Sequence, residues 1–183
     1  MGIQTLNITD MLSRRAVMSG TDRAVIADDG SCDFTALEAG AARMASAFGQ
    51  MGIEPGDRVA LMLPAGLAFA EAFFALMRLG AIACPLNTRL SAAELADIVM
   101  LSGARLVLHD RDFVATSSAL HLANPEVQIL ELGALRRMSA TAARASIHPC
   151  LPTDPALLVF TSGTTGRSKG VVITHDQLIW ASF

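Results

Sequence analysis

Arg58-Val59-Ala60-Leu61-Met62-Leu63-Pro64, followed by Leu67 to Leu79, Gly80-Ala81 and Ile82 to Pro85, reads as strand, helix, strand. After Arg58 the first run is apolar without alternation, which suggests burial on both faces, as in the middle of a parallel sheet. Pro64 has no amide to give to a ladder and stops it. Leu67 to Leu79 is apolar almost all round, with Phe69, Phe73, Leu76 and Met77 marking its densest packing side. Gly80 closes that helix. Downstream, Ser91 and Glu94 stand at capping-box spacing ahead of Leu95 to Leu101, and Arg105 to His109 reads as another strand. Upstream, Ala24 to Ala27 is a short strand ending in the turn Asp28-Asp29-Gly30. Thr35 and Glu38 then form a second capping-box pair before the helical series Leu37, Ala41, Met44, Ala45 and Phe48. Gly52 ends that helix and Pro55-Gly56-Asp57 turns the chain. The alternation predicts an α/β fold: a layered unit with a parallel sheet and right-handed crossovers.

The whole sequence fits this reading. Its 183 residues correspond to one domain, or one and part of a second, on a prior of ~150 residues per domain. Fourteen basic against seventeen acidic residues leave a net charge of −3, which supplies no basic stripe for nucleic acid. With 52% hydrophobic residues the chain is not disordered in composition. The apolar stretch Leu67 to Leu79, interrupted by Glu71 and Arg78, is shorter than the ~20 residues needed to span a bilayer. Met1 to Val17 lacks the apolar block of a secretory signal, so a cytoplasmic location is expected. Cys32, Cys84 and Cys150 fit neither a disulfide framework nor a zinc pattern and read as buried thiols. His109, His121 and His148 show no metal-ligand spacing.

From Asp110 to Pro155 the pattern weakens to one strand at Val127 to Leu130 and a helix-prone segment over Leu132 to Ala145. The chain then becomes informative again. Ala156 to Phe160 is an apolar strand, Val171-Val172-Ile173 another, and between them lies Thr161-Ser162-Gly163-Thr164-Thr165-Gly166-Arg167-Ser168-Lys169-Gly170. Glycines let a backbone approach a ligand closely, hydroxyls and amides supply short donors, and Lys169 adds a mobile charge, an arrangement suited to polyphosphate oxygens. A P-loop nucleotidase would place Gly before the lysine, Ser or Thr after it, and a helix next. Here those positions are Ser168 and Gly170, and a strand follows.

Residues 161–170 resemble the signature phosphate-binding loop of the adenylate-forming, AMP-binding superfamily, of acyl- or aryl-CoA synthetase type. The similarity extends through Pro55-Gly56-Asp57-Arg58-Val59-Ala60, Leu79-Gly80-Ala81, Pro85-Leu86-Asn87-Thr88-Arg89-Leu90 and Glu94-Leu95, with Ser168 where the family usually has Pro. The resemblance implies that residues 1–183 form the N-terminal part of an adenylation domain. The rest of the large domain and the C-terminal lid domain would lie elsewhere. It implies a ligase that converts a small-molecule carboxylic acid and ATP to an acyl-adenylate and pyrophosphate, then passes the acyl group to coenzyme A. Thr161, Ser162, Gly163, Thr164, Thr165, Gly166 and Lys169 would hold the ATP phosphates. The magnesium ligands and the adenylation lysine are expected beyond Phe183, so no catalytic acid, base or metal ligand is assigned here.

Thr174 and Gln177 form a further capping box, after which Leu178, Ile179 and Trp180 start an apolar helix that stops at Phe183. That end is expected to need the missing portion, or a partner, to cover Trp180 and Phe183. His175, just after the cap, reads as a surface residue at a helix start. The Phe69, Phe73 and Phe74 cluster reads as core, and Asp110-Arg111-Asp112 as a solvated charge run. A portion of a ligase, inactive alone, is the favoured function; the alternative is a non-catalytic anion-binding or assembly module.

Overall fold

The computed structural model describes residues 8–161 and 168–181. Helix α1 (Ile8–Met18) leads to a hairpin of β1 (Arg23–Ala27) and β2 (Gly30–Asp33), then α2 (Phe34–Gln50) and β3 (Arg58–Met62). The chain continues through α3 (Leu67–Leu79), β4 (Ile82–Pro85), α4 (Ala92–Ser102), β5 (Leu106–His109), α5 (Val114–Ala123), β6 (Gln128–Glu131) and α6 (Leu132–Ala140). It ends in β7 (Pro155–Thr161), β8 (Lys169–Thr174) and α7 (His175–Trp180).

Six strands form one sheet in the order β6-β5-β3-β4-β7-β8. All neighbours are parallel except the last pair, β7 and β8. As the unalternating run after Arg58 requires, β3 sits centrally and is buried from Val59 to Met62. Its residues serve two cores in turn. Val59 and Leu61 pack with Leu76 and Met77 of α3, Phe48 of α2 and Leu135 of α6. Ala60 and Met62 pack with Leu95, Ile98 and Val99 of α4 and Leu120 of α5 on the other face. The result is a three-layered α/β unit.

Several local expectations hold. Ser91 and Glu94 cap α4 reciprocally, Gly80 takes φ 71° after α3, and Gly52 takes φ 82° after α2. Others are corrected. The Thr35–Glu38 pair does not start α2: the Asp33 carboxylate accepts from the Ala36 amide at 2.7 Å and caps the helix two residues earlier. Glu38 instead binds Arg78 at 2.9 Å and Arg144 at 3.1 Å. On α3 the most buried side is Ala72, Ala75, Leu76 and Met77, while Phe69 and Phe73 are half-buried and stacked on one another. Small alanines let α2 and α3 approach closely, leaving the rings at the margin. Helix α6 ends at Ala140 rather than running to Ala145. The following segment is tied down by backbone bonds from Ala145 to Ala42 and from His148 to Arg78.

Candidate functional site

Strand β7 runs parallel to β4, pairing Ala83 with Leu157, so Thr161 emerges at the carboxyl edge of the parallel sheet. Ligands of open parallel sheets lie along that edge. Strand β8 returns antiparallel, with Lys169 directly opposite Thr161 and Gly170 opposite Phe160. The structure thus brings Thr161 and Lys169 together, the two of the sequence-predicted site residues that it describes, both exposed. Ser162, Gly163, Thr164, Thr165 and Gly166 lie outside the described residues. Lys169 is the only lysine in the chain, every other basic residue in the total of 14 being arginine.

Gly170 is not among the glycines with positive φ. Its role is close approach: a Cβ there would stand 3.1 Å from Leu158 Cδ1 and 3.4 Å from the Phe160 ring. The absent side chain lets β7 lie flush against β8 at the mouth of the loop. The topology also adds something that the loop's sequence alone did not signal. The turn after β4, the strand next to β7, sets Asn87 and Arg89 on the same carboxyl edge. The Asn87 side chain accepts from the Arg89 amide at 3.1 Å and holds that turn, and Arg89 is exposed.

The remaining chemistry-bearing residues have structural work. His109 is buried with Nδ1 2.8 Å from the Asp110 carbonyl, and Asp110 accepts from the Asp112 amide to cap the 3-10 turn Arg111–Phe113. Burial pushes the Cys84 thiol up to about 12 and the Cys150 thiol to about 11, so neither is a nucleophile at neutral pH. A groove of about 360 Å³ between α5 and β6 is lined by Ser117, Ser118, His121, Leu122 and Ile129. Its hydroxyls donate back to the Val114 carbonyl and His121 Nδ1 faces the Val127 carbonyl, so its polar groups are committed within the fold. It lies at the opposite margin of the sheet from the loop.

His175 corrects the sequence reading. It is fully buried rather than a surface residue. Helix α7, which it opens, lies against α1 from the far end of the chain, a contact no local pattern announces. Trp180, as expected, is exposed at 76%. Among the described residues no group of three or more His, Cys, Asp or Glu side chains could hold a metal ion. No helix among them is long and apolar enough to cross a membrane.

The family model for AMP-binding enzymes matches residues 12–183. A long-chain fatty acid:CoA ligase, FadD13, of Mycobacterium tuberculosis is 34% identical over 96% of this chain and 37% of its own length. A feruloyl-CoA synthase of an Amycolatopsis species is 36% identical over 91% of this chain and 33% of its own. Among solved structures, the inhibitor-bound N-terminal domain of FACL13 from M. tuberculosis superposes with a TM-score of 0.89 at 32% identity, over 96% of this chain and 47% of that one. A benzoate CoA ligase of Burkholderia xenovorans superposes with a TM-score of 0.87 at 26% identity, over 96% of this chain and 36% of that one. The chain spans about a third of the length of the curated relatives it matches.

Proposed function

The chain belongs to the AMP-binding enzyme family, and on that premise we propose that it is the N-terminal part of a cytoplasmic AMP-forming carboxylic acid:CoA ligase and supplies its ATP phosphate loop. In the complete enzyme a carboxylate oxygen attacks the α-phosphorus of ATP, the bond to the β-phosphate bridging oxygen breaks, and pyrophosphate leaves. The thiolate of coenzyme A then attacks the acyl carbonyl and AMP departs. Residues of this chain act on the first step. Thr161, Ser162, Gly163, Thr164, Thr165 and Gly166 would offer hydroxyl and amide donors to the β- and γ-phosphate oxygens, holding the leaving group in line. Lys169 would offset the charge that accumulates on the departing pyrophosphate. The role is electrostatic, with no covalent chemistry on the loop. Magnesium and the groups that shape the acid pocket are expected from the part of the enzyme outside this chain.

The observation that carries this reading is the strand-loop-strand at the carboxyl edge of the sheet, with the sole lysine of the chain opposite Thr161. It favours a ligase portion over an assembly module, which has no need of a lysine beside a hydroxyl-rich loop; an anion-binding module would use the same lysine, and pyrophosphate exchange in the complete enzyme separates the two. In the complete enzyme carrying this segment, Lys169→Ala should slow acid-dependent ATP–pyrophosphate exchange by ~10²-fold. Unchanged exchange would remove the assigned role. The 183-residue chain alone should show no exchange, and titration with Mg-ATP beside a Thr164→Ala/Lys169→Ala variant tests whether the loop binds phosphate unaided.

A further inference from the structure

Strand β8 is the outer strand of the sheet, and Lys169, Gly170, Val171 and Val172 are exposed on both of its faces. Burial does little to set the register of these four residues, which leaves the close approach at Gly170 and the ends of the hairpin to do so; a slip of one residue would turn Lys169 to the opposite face. The pairing is nonetheless continuous from Thr161–Lys169 to Leu157–Ile173. The first fully buried residue beyond it is His175, at 0% exposure. Its amide donates to the Asp154 carbonyl at 3.1 Å and the Asp176 amide donates to the Pro152 carbonyl at 2.9 Å. The open end of the β7–β8 hairpin is thereby tied to the segment that precedes β7.

The ring itself stands out. Neither Nδ1 nor Nε2 has a hydrogen-bond partner, and among the described residues the one other buried side-chain polar atom in that condition is Thr9 Oγ1. Thr9 and His175 lie in the first turns of α1 and α7, two helices that pack together, and Ile8 and Leu178 of the same helices join one apolar cluster. Buried polar groups are satisfied in the great majority of cases. A neutral imidazole offers one donor and one acceptor, and a hydroxyl offers both. The two ring nitrogens point away from each other, so a single buried water, which needs two to four polar partners, can serve one of them together with Thr9 Oγ1.

We propose that His175 is the positioning residue of the phosphate loop: buried under the hairpin and joined to Thr9 of α1 through a shared water, it fixes the register of β8 and with it the place of Lys169. The functional consequence rests on the phosphate-loop reading above, whereas the register claim does not. The charges facing the ring are Asp154 before β7, Asp10 on α1 and Asp176 on α7; burial outweighs their pull and keeps the ring below its ordinary range, hence neutral at pH 7.

The test uses the 183-residue chain and two substitutions that separate volume from hydrogen bonding. His175→Phe fills the space without the nitrogens, and His175→Gln keeps a donor and an acceptor. Amide exchange at Val171, Val172 and Ile173 should quicken about tenfold in His175→Phe and in Thr9→Val, and stay within about threefold of the parent in His175→Gln. Cross-strand proton contacts between Val159 and Val171 should weaken in the same order, as should the constancy of the single lysine side-chain resonance. In the unsubstituted chain a ring N–H of His175 should exchange slowly at pH 7. Protection in His175→Phe equal to the parent, or a ring that exchanges and titrates as an exposed imidazole does, would overturn the proposal. If Lys169→Ala leaves pyrophosphate exchange unchanged in the complete enzyme, the phosphate-loop reading falls, while the exchange and contact data still decide the register claim.

Discussion

Replacing Arg78 by Met tests the interior polar joint that holds the unpatterned segment 141–150 to the helices. The guanidinium sits at the end of α3, its side chain 10% exposed, and donates Nη1 to Glu38 Oε1 of α2 at 2.9 Å and Nε to the Ala145 carbonyl at 2.7 Å. The Glu38 side chain is 13% exposed, and its other oxygen takes Arg144 at 3.1 Å. Removing one partner of a buried ion pair costs ~3–5 kcal/mol because the other charge is left behind. Arg144 still partly compensates Glu38, which lowers that figure, while the lost bond to Ala145 adds ~1 kcal/mol. The expected loss is about 3 kcal/mol, a large share of the ~5–15 kcal/mol that stabilises a domain. For a chain of this length it should lower Tm by roughly 6–12 °C. Urea unfolding at pH 7 measures it. Arg144→Ala is the control: its side chain is 57% exposed, and an exposed pair is worth ~0–1 kcal/mol. In Arg78→Met/Glu38→Gln both charges leave together, so stability should return part of the way toward the parent. A loss under ~0.5 kcal/mol for Arg78→Met, or one matched by Arg144→Ala, would refute the view that burial makes this pair structural.

Asp29, at the tip of the β1–β2 hairpin, accepts from the amides of Leu67 at 2.8 Å and Ala68 at 2.9 Å and so caps α3 from outside the helix. Asp29→Ala should cost ~1 kcal/mol in urea unfolding. Gly66→Ala should do similar harm, since its Cβ would collide with that carboxylate. The pH dependence should show two separate losses. Burial holds His175 below 6.5, so its contribution is full above 6.5 and is lost as pH falls through the lower folded value. Desolvation raises Asp29, but the bonds from Ala68 and Leu67 outweigh it and hold the carboxyl below 3.8; its contribution persists above 3.8 and disappears further down. Unfolding midpoints measured against pH should lose the upper step in His175→Phe and the lower one in Asp29→Asn. In the native chain, iodoacetamide should modify half-buried Cys32 before Cys84 or Cys150; equal rates at all three would contradict the buried-thiol assignment.

What the sequence revealed, and what it hid, divides by the range of the interactions. The Ser91–Glu94 and Thr174–Gln177 capping boxes were legible because both partners of each lie within one turn. The same spacing at Thr35 and Glu38 misled because Asp33 is an equally good cap two residues earlier, and because Glu38 is engaged by Arg78, 40 residues away. Strand β2, Gly30–Asp33, has Cys32 as its one apolar side chain and no alternation to read; it pairs with β1. The central strands needed no partner to be read, since burial on both faces writes itself as an unbroken apolar run. The two strands that flank the candidate loop, β7 and β8, were legible as apolar runs. The burial of His175 was not, because the helix that α7 packs on comes from the other end of the chain.

On the proposed phosphate-loop reading, the direction of β8 gives a reason why the placing of Lys169 would depend on His175. In a P-loop the strand runs into a helix whose first amides face the phosphates, so the anion is met by groups fixed within a single element. Here the loop leaves into an antiparallel strand, and β-strands have little net dipole to offer. On that reading the compensating charge would be carried by a side chain, and its position would be only as well defined as the strand that bears it. That strand is at the sheet margin, with Val171 and Val172 both exposed and a glycine opposite Phe160. Its side chains cannot choose between registers by burial. Beside the close approach at Gly170, the choice falls to the two ends of the hairpin: the loop at one, and at the other His175 with the backbone bonds from residues 175 and 176 to Asp154 and Pro152. A buried polar residue at that second end is a more selective anchor than an aliphatic one, because a slipped register would leave its nitrogens facing apolar neighbours as well as emptying the space it fills.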